Sequence, residues 1–151
     1  MVVAFCGHAQ FSQSDLYEER ILSFLEKKVG DLPAEMYLGG YGEFDGFAYE
    51  CCRKYKETHP NVVIVFVTPY LTESYQKNHL EYQKERYDLI IYPEIEDKPL
   101  KFAISYRNKY MVEKADCLIV YVEHAWGGAH AMYQYARRKK KEIFNLADFK
   151  Q

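Results

Sequence analysis

The stretch YLGGYGEFDGFA, residues 37–48, decides the fold prediction, because it joins an apolar run to a helix-like run through a glycine-rich turn. Four glycines fall within eight positions: Gly39, Gly40, Gly42 and Gly46. Glycine inside ordered structure costs chain entropy, so such a cluster indicates a tight turn or a ligand close to the backbone. The stretch therefore predicts a strand-to-helix connection that carries a candidate ligand site.

Each residue of this turn has an expected role. Gly39 and Gly40 end the strand and turn the backbone, Gly42 lets a ligand approach, and Gly46 permits close helix packing. Asp45 has two roles that do not exclude each other. As an N-cap it would accept a backbone N–H, and as a ligand group it would accept hydrogen bonds from ribose hydroxyls.

Outward from this turn, apolar runs alternate with helical patterns along the whole chain. The first helix is expected to start near Ser12, because Ser12 and Asp15 have capping-box spacing and Phe11 and Leu16 fit a hydrophobic staple. Further helices are expected after the glycines and over 73–86, 102–114 and 129–140. Strands are expected at 2–6, 35–38, 62–68, 89–92, 117–122 and 143–146. Several of these are nearly continuous in apolar residues, which is typical of parallel strands covered on both faces. The pattern predicts a three-layer Rossmann-like α/β domain over 1–151, with a mainly parallel sheet of about five to six strands and helices on both faces.

Composition limits the classes of protein to which the chain can belong. Its 151 residues suit one domain, and its longest apolar run, 62–67, is too short to span a bilayer. No basic segment opens the chain, so no signal peptide is expected. The net charge of −2 argues against general polyanion binding. The four cysteines contain no Cys-x-x-Cys pair, so no metal site is predicted, and a reducing cytoplasm is the expected location.

Other predicted strands are also followed by residues that suit a ligand site. Gly7 and His8 follow the first strand, Thr68 and Pro69 follow the third, and Gly127 and Gly128 precede the last helix. In open parallel sheets, ligands bind beyond the carboxyl ends of the strands. Amide N–H groups and the positive end of a helix dipole favour phosphate at such turns. The glycine turns are therefore expected to converge on one anion site.

Charged and titratable residues supply further candidates. Arg107 is the residue type that holds phosphate bidentately, although a solvated helix face is the alternative. His8 has a side chain suited to acid–base chemistry, although a hydrogen-bonded structural role is the alternative. His124 and His130 flank Trp126 without a third metal ligand at zinc spacing. The basic run ARRKKKE, 136–142, is interpreted as a solvated helix end.

Taken together, these motifs resemble the SLOG superfamily, which joins the Smf/DprA DNA-processing proteins and the LOG phosphoribohydrolases. The similarity rests on GH at 7–8, GGYGEFDGFA at 39–48, RNKYM at 107–111, ADCLIVYV at 115–122 and GGAHAMYQYA at 127–136. It spans nearly the whole chain and looks most like small stand-alone bacterial or phage members of uncharacterised function. The resemblance implies a Rossmann-like fold with a nucleotide-related ligand over the glycine loops.

The resemblance also shows where this chain departs from known members. LOG enzymes carry a catalytic glutamate in the helix after their late glycine motif. Here that position falls at about Met132, and no carboxylate lies between Gly127 and Arg138. DprA-type proteins bind single-stranded DNA through a basic face, and this chain has neither the net charge nor the length of those proteins. The departures therefore favour binding over hydrolysis and make nucleic acid an unlikely partner.

The leading hypothesis is binding or sensing of a nucleotide-derived small molecule, without a cofactor, a metal or a membrane. The alternatives are a nucleotide-processing enzyme of the N-glycosidase, phosphoribohydrolase or deoxyribosyltransferase type, and a protein-interaction subunit. Homodimer formation is left open. An enzyme would need Asp45, Glu43 or His8 for acid–base chemistry. The expected ligand-binding residues are Gly7, His8, Gly39, Gly40, Tyr41, Gly42, Asp45, Thr68, Pro69, Arg107, Asn108, Gly127, Gly128 and Ala129.

Overall fold

A computed structural model, which describes residues 1–149, contains one six-stranded parallel sheet with helices on both faces. Lys150 and Gln151, part of the predicted domain, lie outside the described residues. Every strand boundary lies within one residue of the prediction, and the predicted fold class is confirmed. The strands are β1 (Val2–Gly7), β2 (Ala34–Leu38), β3 (Val62–Val67), β4 (Leu89–Ile91), β5 (Cys117–Tyr121) and β6 (Glu142–Asn145).

The helices follow the predicted alternation with strands. A π-helical turn at Gln76–Leu80 joins α3 to α4, so the polar segment predicted at 73–86 is one helix with an internal irregularity. Short 3₁₀ turns lie at Leu100–Phe102 and Leu146–Phe149. The α-helices are α1 (Asp15–Lys28), α2 (Glu43–Lys56), α3 (Glu73–Tyr75), α4 (Glu81–Arg86), α5 (Ala103–Lys114) and α6 (Gly128–Arg138).

Two buried apolar clusters lie on opposite faces of the sheet, because alternate side chains of a strand point to opposite sides. α1 and α2 cover one face, and α5 and α6 cover the other. The first cluster includes Phe5, Met36 and Ile64 of the strands with Ile21, Leu25 and Phe44 of the helices. The second includes Ala4, Val65 and Leu118 of the strands with Met111, Val112 and Met132 of the helices. Burial on both faces explains why the strands read as continuous apolar runs.

Two local predictions were wrong. The N-cap of α1 is Ser14, whose hydroxyl accepts the Tyr17 N–H at 3.2 Å, and not Ser12. Ser12 has an acidic residue three positions on, Asp15, whereas Ser14 has Tyr17 there, so the side-chain pattern favoured the wrong serine. A Cβ on Gly46 would meet no atom within 4 Å, so Gly46 is not required for close packing.

The strand order β4-β3-β2-β1-β5-β6 places the topological switch point between β1 and β5. β1 pairs with β2 on one side and with β5 on the other, and the connections leave β1 and β5 toward opposite faces of the sheet. The loops after these strands therefore diverge and leave a crevice at their carboxyl ends. Within residues 1–149, no helix combines the length and the apolar character needed to cross a membrane.

Candidate functional site

A cleft of about 490 Å³ lies at the switch point, beyond the carboxyl ends of β1, β2 and β5. Its walls come from the loops after those strands and from the inner sides of α5 and α6. Ten of the residues predicted to bind ligand line this one cleft: Gly7, His8, Gly39, Tyr41, Asp45, Arg107, Asn108, Gly127, Gly128 and Ala129. The fold thus brings together turns that are up to about 120 residues apart in the chain.

Four predicted binding residues do not line the cleft. Gly40 and Gly42 have φ values of 69° and 92°, which favour glycine, but a Cβ on either would meet protein atoms. For Gly42 the close neighbour is the Ala9 backbone, 2.8 Å away, so the close approach there is between two loops of the protein. Thr68 and Pro69 are buried after β3, two strands from the switch point, where the Thr68 hydroxyl donates to the Tyr70 carbonyl.

Asp45 lies in the first turn of α2 with its carboxylate against the loop before the helix. Gly42, not Asp45, is the N-cap. Asp45 Oδ2 accepts the Tyr41 N–H at 3.1 Å, so the side chain still satisfies a backbone donor at the helix entrance. Burial raises the pKa of Asp45 to about 6, although the Tyr41 N–H and the Arg107 charge act to lower it. The cleft therefore contains a buried carboxyl group that titrates near neutral pH.

Arg107 of α5 is buried, with 4% of its surface exposed. Its Nη1 donates to the Gly39 carbonyl at 3.1 Å and to the Val67 carbonyl at 2.6 Å, and its Nε donates to Asn108 Oδ1 at 2.9 Å. Burial lowers the pKa of Arg107, and the Asp45 charge acts to raise it. The guanidinium thus ties α5 to the ends of β2 and β3 while one side of it faces the cleft. Its predicted phosphate contact stays a prediction.

His8 is the innermost ring of an aromatic stack at the cleft wall. Its Nε2 accepts the Glu123 N–H at 2.9 Å, which assigns the proton of the neutral ring to Nδ1. Burial lowers the pKa of His8, and a charge on His124 lowers it further. The His8 and His124 rings stack at 3.6 Å, and the His124 and Trp126 rings at 3.8 Å. This aromatic stack (His8, His124 and Trp126) ends in an indole that is 70% exposed.

The start of α6 forms part of the cleft lining. Gly127 is its N-cap with a φ of 91°, a left-handed conformation that favours glycine, and no side chain caps the helix there. A Cβ on Gly127 or Gly128 would meet no atom within 4 Å, so the space above this turn is open. The first-turn amides of an α-helix have no intrahelical acceptor, and here they lie on the cleft.

Sequence reasoning missed part of the cleft lining. His124 and Trp126 were considered only in relation to a metal site, but they form the aromatic stack beside the glycines of α6. The available signal was an aromatic pair directly between a buried strand and a Gly-Gly helix entrance. Met132, the position expected to align with the LOG glutamate, is buried and also lines the cleft, so an apolar group occupies that place.

A second cavity of about 910 Å³ lies beside the cleft and shares His8, Gln10, His124 and Trp126 with it. The aromatic stack therefore separates the two spaces. Glu43 lines this second cavity rather than the cleft, and its Oε2 accepts the Phe11 N–H at 3.0 Å. Of the three candidate acid–base residues, only Asp45 and His8 face the cleft.

With this geometry in view, the chain can be compared with known proteins. No protein-family model matches it. The UPF0398 protein BH1768 of Halalkalibacterium halodurans is 25% identical over 133 residues, which cover 83% of this chain and 67% of that protein. DNA processing protein A from Helicobacter pylori, solved for its single-stranded DNA binding mode, superposes with a TM-score of 0.63 at 19% identity. The X-ray structure of TM1055 superposes with a TM-score of 0.54 at 14% identity.

The superpositions cover 96% and 94% of this chain, but only 64% of the DNA processing protein and 71% of TM1055. The fold and the switch-point cleft define a doubly wound, Rossmann-like α/β protein. Within that class, the chain has the fold of the SLOG group, which confirms the resemblance to Smf/DprA- and LOG-like proteins.

The prediction that nucleic acid is an unlikely partner was wrong. It is contradicted by the H. pylori structure, a neighbour in fold whose reported ligand is single-stranded DNA. The argument failed because a net charge averages over the whole surface. Residues 98–141 contain ten Lys and Arg against three Asp and Glu, whereas the rest of the chain contains ten against nineteen. A total of −2 therefore conceals a strongly basic part of the molecule.

Proposed function

We propose that the cleft binds a nucleotide unit, with its base against the aromatic stack and its phosphate at the start of α6. The observation that carries this proposal is that the aromatic stack and the start of α6 line the same cavity. His124 and Trp126 lie in the loop between β5 and α6, directly before Gly127, the N-cap of α6. A cavity of about 490 Å³ falls within the range of small-molecule sites, roughly 300–1,000 Å³. The cytoplasmic location and homodimer formation remain predictions.

The phosphate end of the proposed site rests on the backbone of α6. Gly127 and Gly128 leave the amides of the first turn uncovered, and the helix dipole adds a partial positive charge. Arg107 of α5 contributes a second positive charge to the cleft lining. Asp45 also lines the cleft, and a charged carboxylate would repel phosphate. The ribose hydroxyls are therefore the better partner for Asp45, since a carboxylate accepts their hydrogen bonds.

The base end of the proposed site rests on Trp126. Its indole stacks on His124 on one side and is 70% exposed, which leaves a large flat surface next to the cleft. Base–aromatic stacking stabilises a complex by roughly 1–3 kcal/mol per base and tolerates any base. A site of this kind would recognise the class of ligand while discriminating weakly among bases.

Trp126 allows a direct test, because it is the only tryptophan in the chain. We expect AMP to change the intrinsic tryptophan fluorescence of the protein. Trp126→Ala should weaken AMP binding measured by calorimetry by about 5- to 150-fold, the equivalent of one lost stacking contact. Trp126→Phe should restore much of the affinity, because it keeps an aromatic face.

Tyr82→Ala is the matched control, since Tyr82 is another exposed aromatic residue, 60% exposed on α4 and away from the cleft. Its affinity for AMP should equal that of the wild type. Equal affinity in wild type and Trp126→Ala would reject the stacking role and with it the proposed orientation of the ligand.

Hydrolysis of the bound nucleotide is the second candidate function, and Asp45 is the observation that favours it. A cleft carboxyl group whose pKa is raised to about 6 is suited to proton transfer near neutral pH. Met132 opposes this function, because it places an apolar side chain where the LOG resemblance expects a glutamate. His8 Nε2 is already an acceptor for the Glu123 N–H, which leaves Asp45 as the acid or base that such chemistry would need.

We expect the purified protein to release neither free base nor ribose phosphate from nucleoside monophosphates, as measured by chromatography of the reaction products. Turnover that is lost in Asp45→Asn but retained in Glu43→Gln would instead assign a hydrolase. Glu43→Gln is the matched control, because Glu43 is a neighbouring carboxylate that lies in the second cavity.

A further inference from the structure

The side of the molecule formed by α5 and α6 is strongly basic. The segment 98–141, which contains both helices and β5, has a net charge of +7, whereas the rest of the chain has a net charge of −9. Glu113 is the only carboxylate on α5, and α6 has none. Among ion pairs described within residues 1–149, the only one that includes a lysine or arginine of this segment joins Lys98 to Asp97. This face therefore has a largely uncompensated positive charge.

A groove of about 220 Å³ lies on this face, between α5 and α6. Ile104, Ala131 and Met132 give it an apolar floor, and Ile104 is 46% exposed. The α6 residues that line it run from Gly128 to Arg138, about 15 Å of helix at roughly 1.5 Å per residue. Its volume is below the range of small-molecule clefts, roughly 300–1,000 Å³. A groove of this size and length suits a few side chains of a third helix packed against the pair.

Cations flank this apolar floor. Lys109 of α5 and Arg138 of α6 both line the groove, and both are exposed. The ring centre of Tyr135 lies 5.7 Å from Lys109 Nζ, 5.6 Å from Arg138 Cζ and 5.4 Å from Lys139 Nζ. Cation–π attraction to this ring holds long side chains beside the groove. An acidic ligand would therefore meet charges that need little further ordering.

Exposed apolar side chains continue from the groove to the start of α5. Leu100 and Phe102, on the 3₁₀ turn directly before this helix, are 65% and 48% exposed. With Ile104 they place three exposed apolar residues within five positions of the chain. Exposed apolar patches rimmed by polar residues mark interaction sites. The face thus combines apolar surface with positive charge.

The chemistry of the groove favours an acidic protein segment as its occupant. A second copy of this chain, docked through the same face, would bring two basic surfaces together, and like charges across an interface are costly. A nucleic-acid strand would find cations, but the floor consists of aliphatic side chains, and cations already lie on the Tyr135 ring. An amphipathic helix with flanking carboxylates matches both the apolar floor and the charged rim.

We propose that the α5/α6 groove docks an acidic amphipathic helix of a partner protein. Apolar residues of that helix at i, i+3 or i+4, and i+7 would lie on Ile104, Ala131 and Met132. Carboxylates beside them would pair with Lys109 and Arg138. The inference goes beyond the proposed function and does not depend on it, because it concerns a different surface and a different ligand.

The test measures fluorescence anisotropy of a labelled synthetic peptide with the full chain. The peptide has about eighteen residues, or five helical turns, with leucines on one helical face and glutamates on the others. We expect it to bind in the micromolar range, and more weakly as the salt concentration is raised. A peptide of the same composition, with its leucines distributed around the helix, should bind about tenfold more weakly. Equal binding of the two peptides would overturn the inference, because charge alone would then explain it.

Two variants test the rim and the floor of the groove separately. Lys109→Glu/Arg138→Glu should weaken binding of the peptide by on the order of tenfold or more, since like charges would then face each other. Ala131→Gln should weaken it by about tenfold, because a longer polar side chain would fill the apolar floor. None of these three side chains lines the cleft, so the affinity for AMP should be unchanged in both variants.

Lys27→Glu/Lys77→Glu is the matched control, because it makes the same charge change at exposed positions of α1 and the π-helical turn. An equal loss of peptide binding in this control, or no binding to the wild type, would overturn the inference. Binding of a labelled oligothymidylate but not of the peptide would assign the face to nucleic acid and overturn it as well. So would a dimer in sedimentation that Ala131→Gln dissociates. A wild type that binds the peptide but not AMP would reject the proposed function alone.

Discussion

Arg107→Ala should lower the free energy of unfolding by about 2–6 kcal/mol, because it leaves two buried carbonyl oxygens unsatisfied at roughly 1–3 kcal/mol each. The substitution leaves the Gly39 and Val67 carbonyls without their donor at the ends of β2 and β3. It also removes the charge that compensates the buried carboxyl group of Asp45. A solvated helix face, the alternative that the sequence left open for Arg107, would predict little loss of stability, and the buried hydrogen bonds of Arg107 reverse that expectation.

Urea denaturation at pH 7 measures this effect, with an unchanged m-value as evidence that the variant still unfolds as the same structure. Lys109→Ala is the matched control, because it removes an exposed cation two residues away on α5 and should change stability by less than about 0.5 kcal/mol. Arg107→Lys should recover only part of the loss, since an ammonium lacks the planar guanidinium geometry. A loss below about 1 kcal/mol in Arg107→Ala would show that the internal hydrogen bonds contribute little.

The predicted phosphate contact of Arg107 is tested in the same variants under conditions where they remain folded. A tenfold to hundredfold loss of nucleotide affinity in folded Arg107→Ala would support the contact. Equal affinity in the folded wild type and variant would restrict Arg107 to its structural role.

Asp45→Asn should have the opposite effect and raise the free energy of unfolding by about 3 kcal/mol at pH 7. Burial raises the pKa of Asp45 from 3.8 to about 6 in the folded state, so ionisation there is unfavourable relative to the unfolded chain. About two pKa units correspond to roughly 3 kcal/mol. Asparagine keeps an oxygen that accepts the Tyr41 N–H, so the helix entrance retains its hydrogen bond.

The sign and the pH window of this effect are both measurable. The folded state holds the proton of Asp45 more tightly, so the wild type loses stability as the pH rises from about 3.8 to about 6, and the loss is constant above that range. The difference in stability between Asp45→Asn and wild type should therefore be small near pH 4 and full at pH 7. Denaturant unfolding at a series of pH values would contradict this account if the difference were independent of pH.

Asp88→Asn serves as a control with the reverse sign. Burial acts to raise the pKa of Asp88, but the Lys56 ammonium and the Ile64 N–H outweigh it, and the pKa is lowered. Its ionised form therefore stabilises the fold, so Asp88→Asn should be destabilising at neutral pH, with an effect that declines as the pH falls through the folded-state pKa. A stabilising Asp45→Asn together with a destabilising Asp88→Asn would show that the ionised form of Asp45 destabilises the fold, whereas the ionised form of Asp88 stabilises it.

Much of the fold could be predicted because burial on both faces of a parallel sheet has a local signature. The runs at 62–67 and 117–121 are apolar throughout, and helical patterns separate them from the other strands. The glycines at 39–42 and 127–128 mark where the chain must turn at strand ends and helix starts. These features depend on near neighbours in the chain, so a single sequence contains them.

The cleft could be predicted only in part, because its contacts join distant segments. Gly42 approaches Ala9, and His8 is fixed by the Glu123 N–H, across 115 residues. The stack of His8, His124 and Trp126 likewise combines the loops after β1 and β5. No local pattern records which rings will face one another after the strands pair.

The sequence by itself determined the strand–helix alternation, the glycine turns and the uneven distribution of charge along the chain. Tertiary structure alone decided how those features are used. Pairing of β1 with β2 and β5 sets the switch point, and burial decides that Arg107 donates to carbonyls and that Asp45 titrates near pH 6. The physical reason is that periodicity and turn chemistry act over a few residues, whereas desolvation, ring stacking and long-range hydrogen bonds depend on which distant segments the fold brings together.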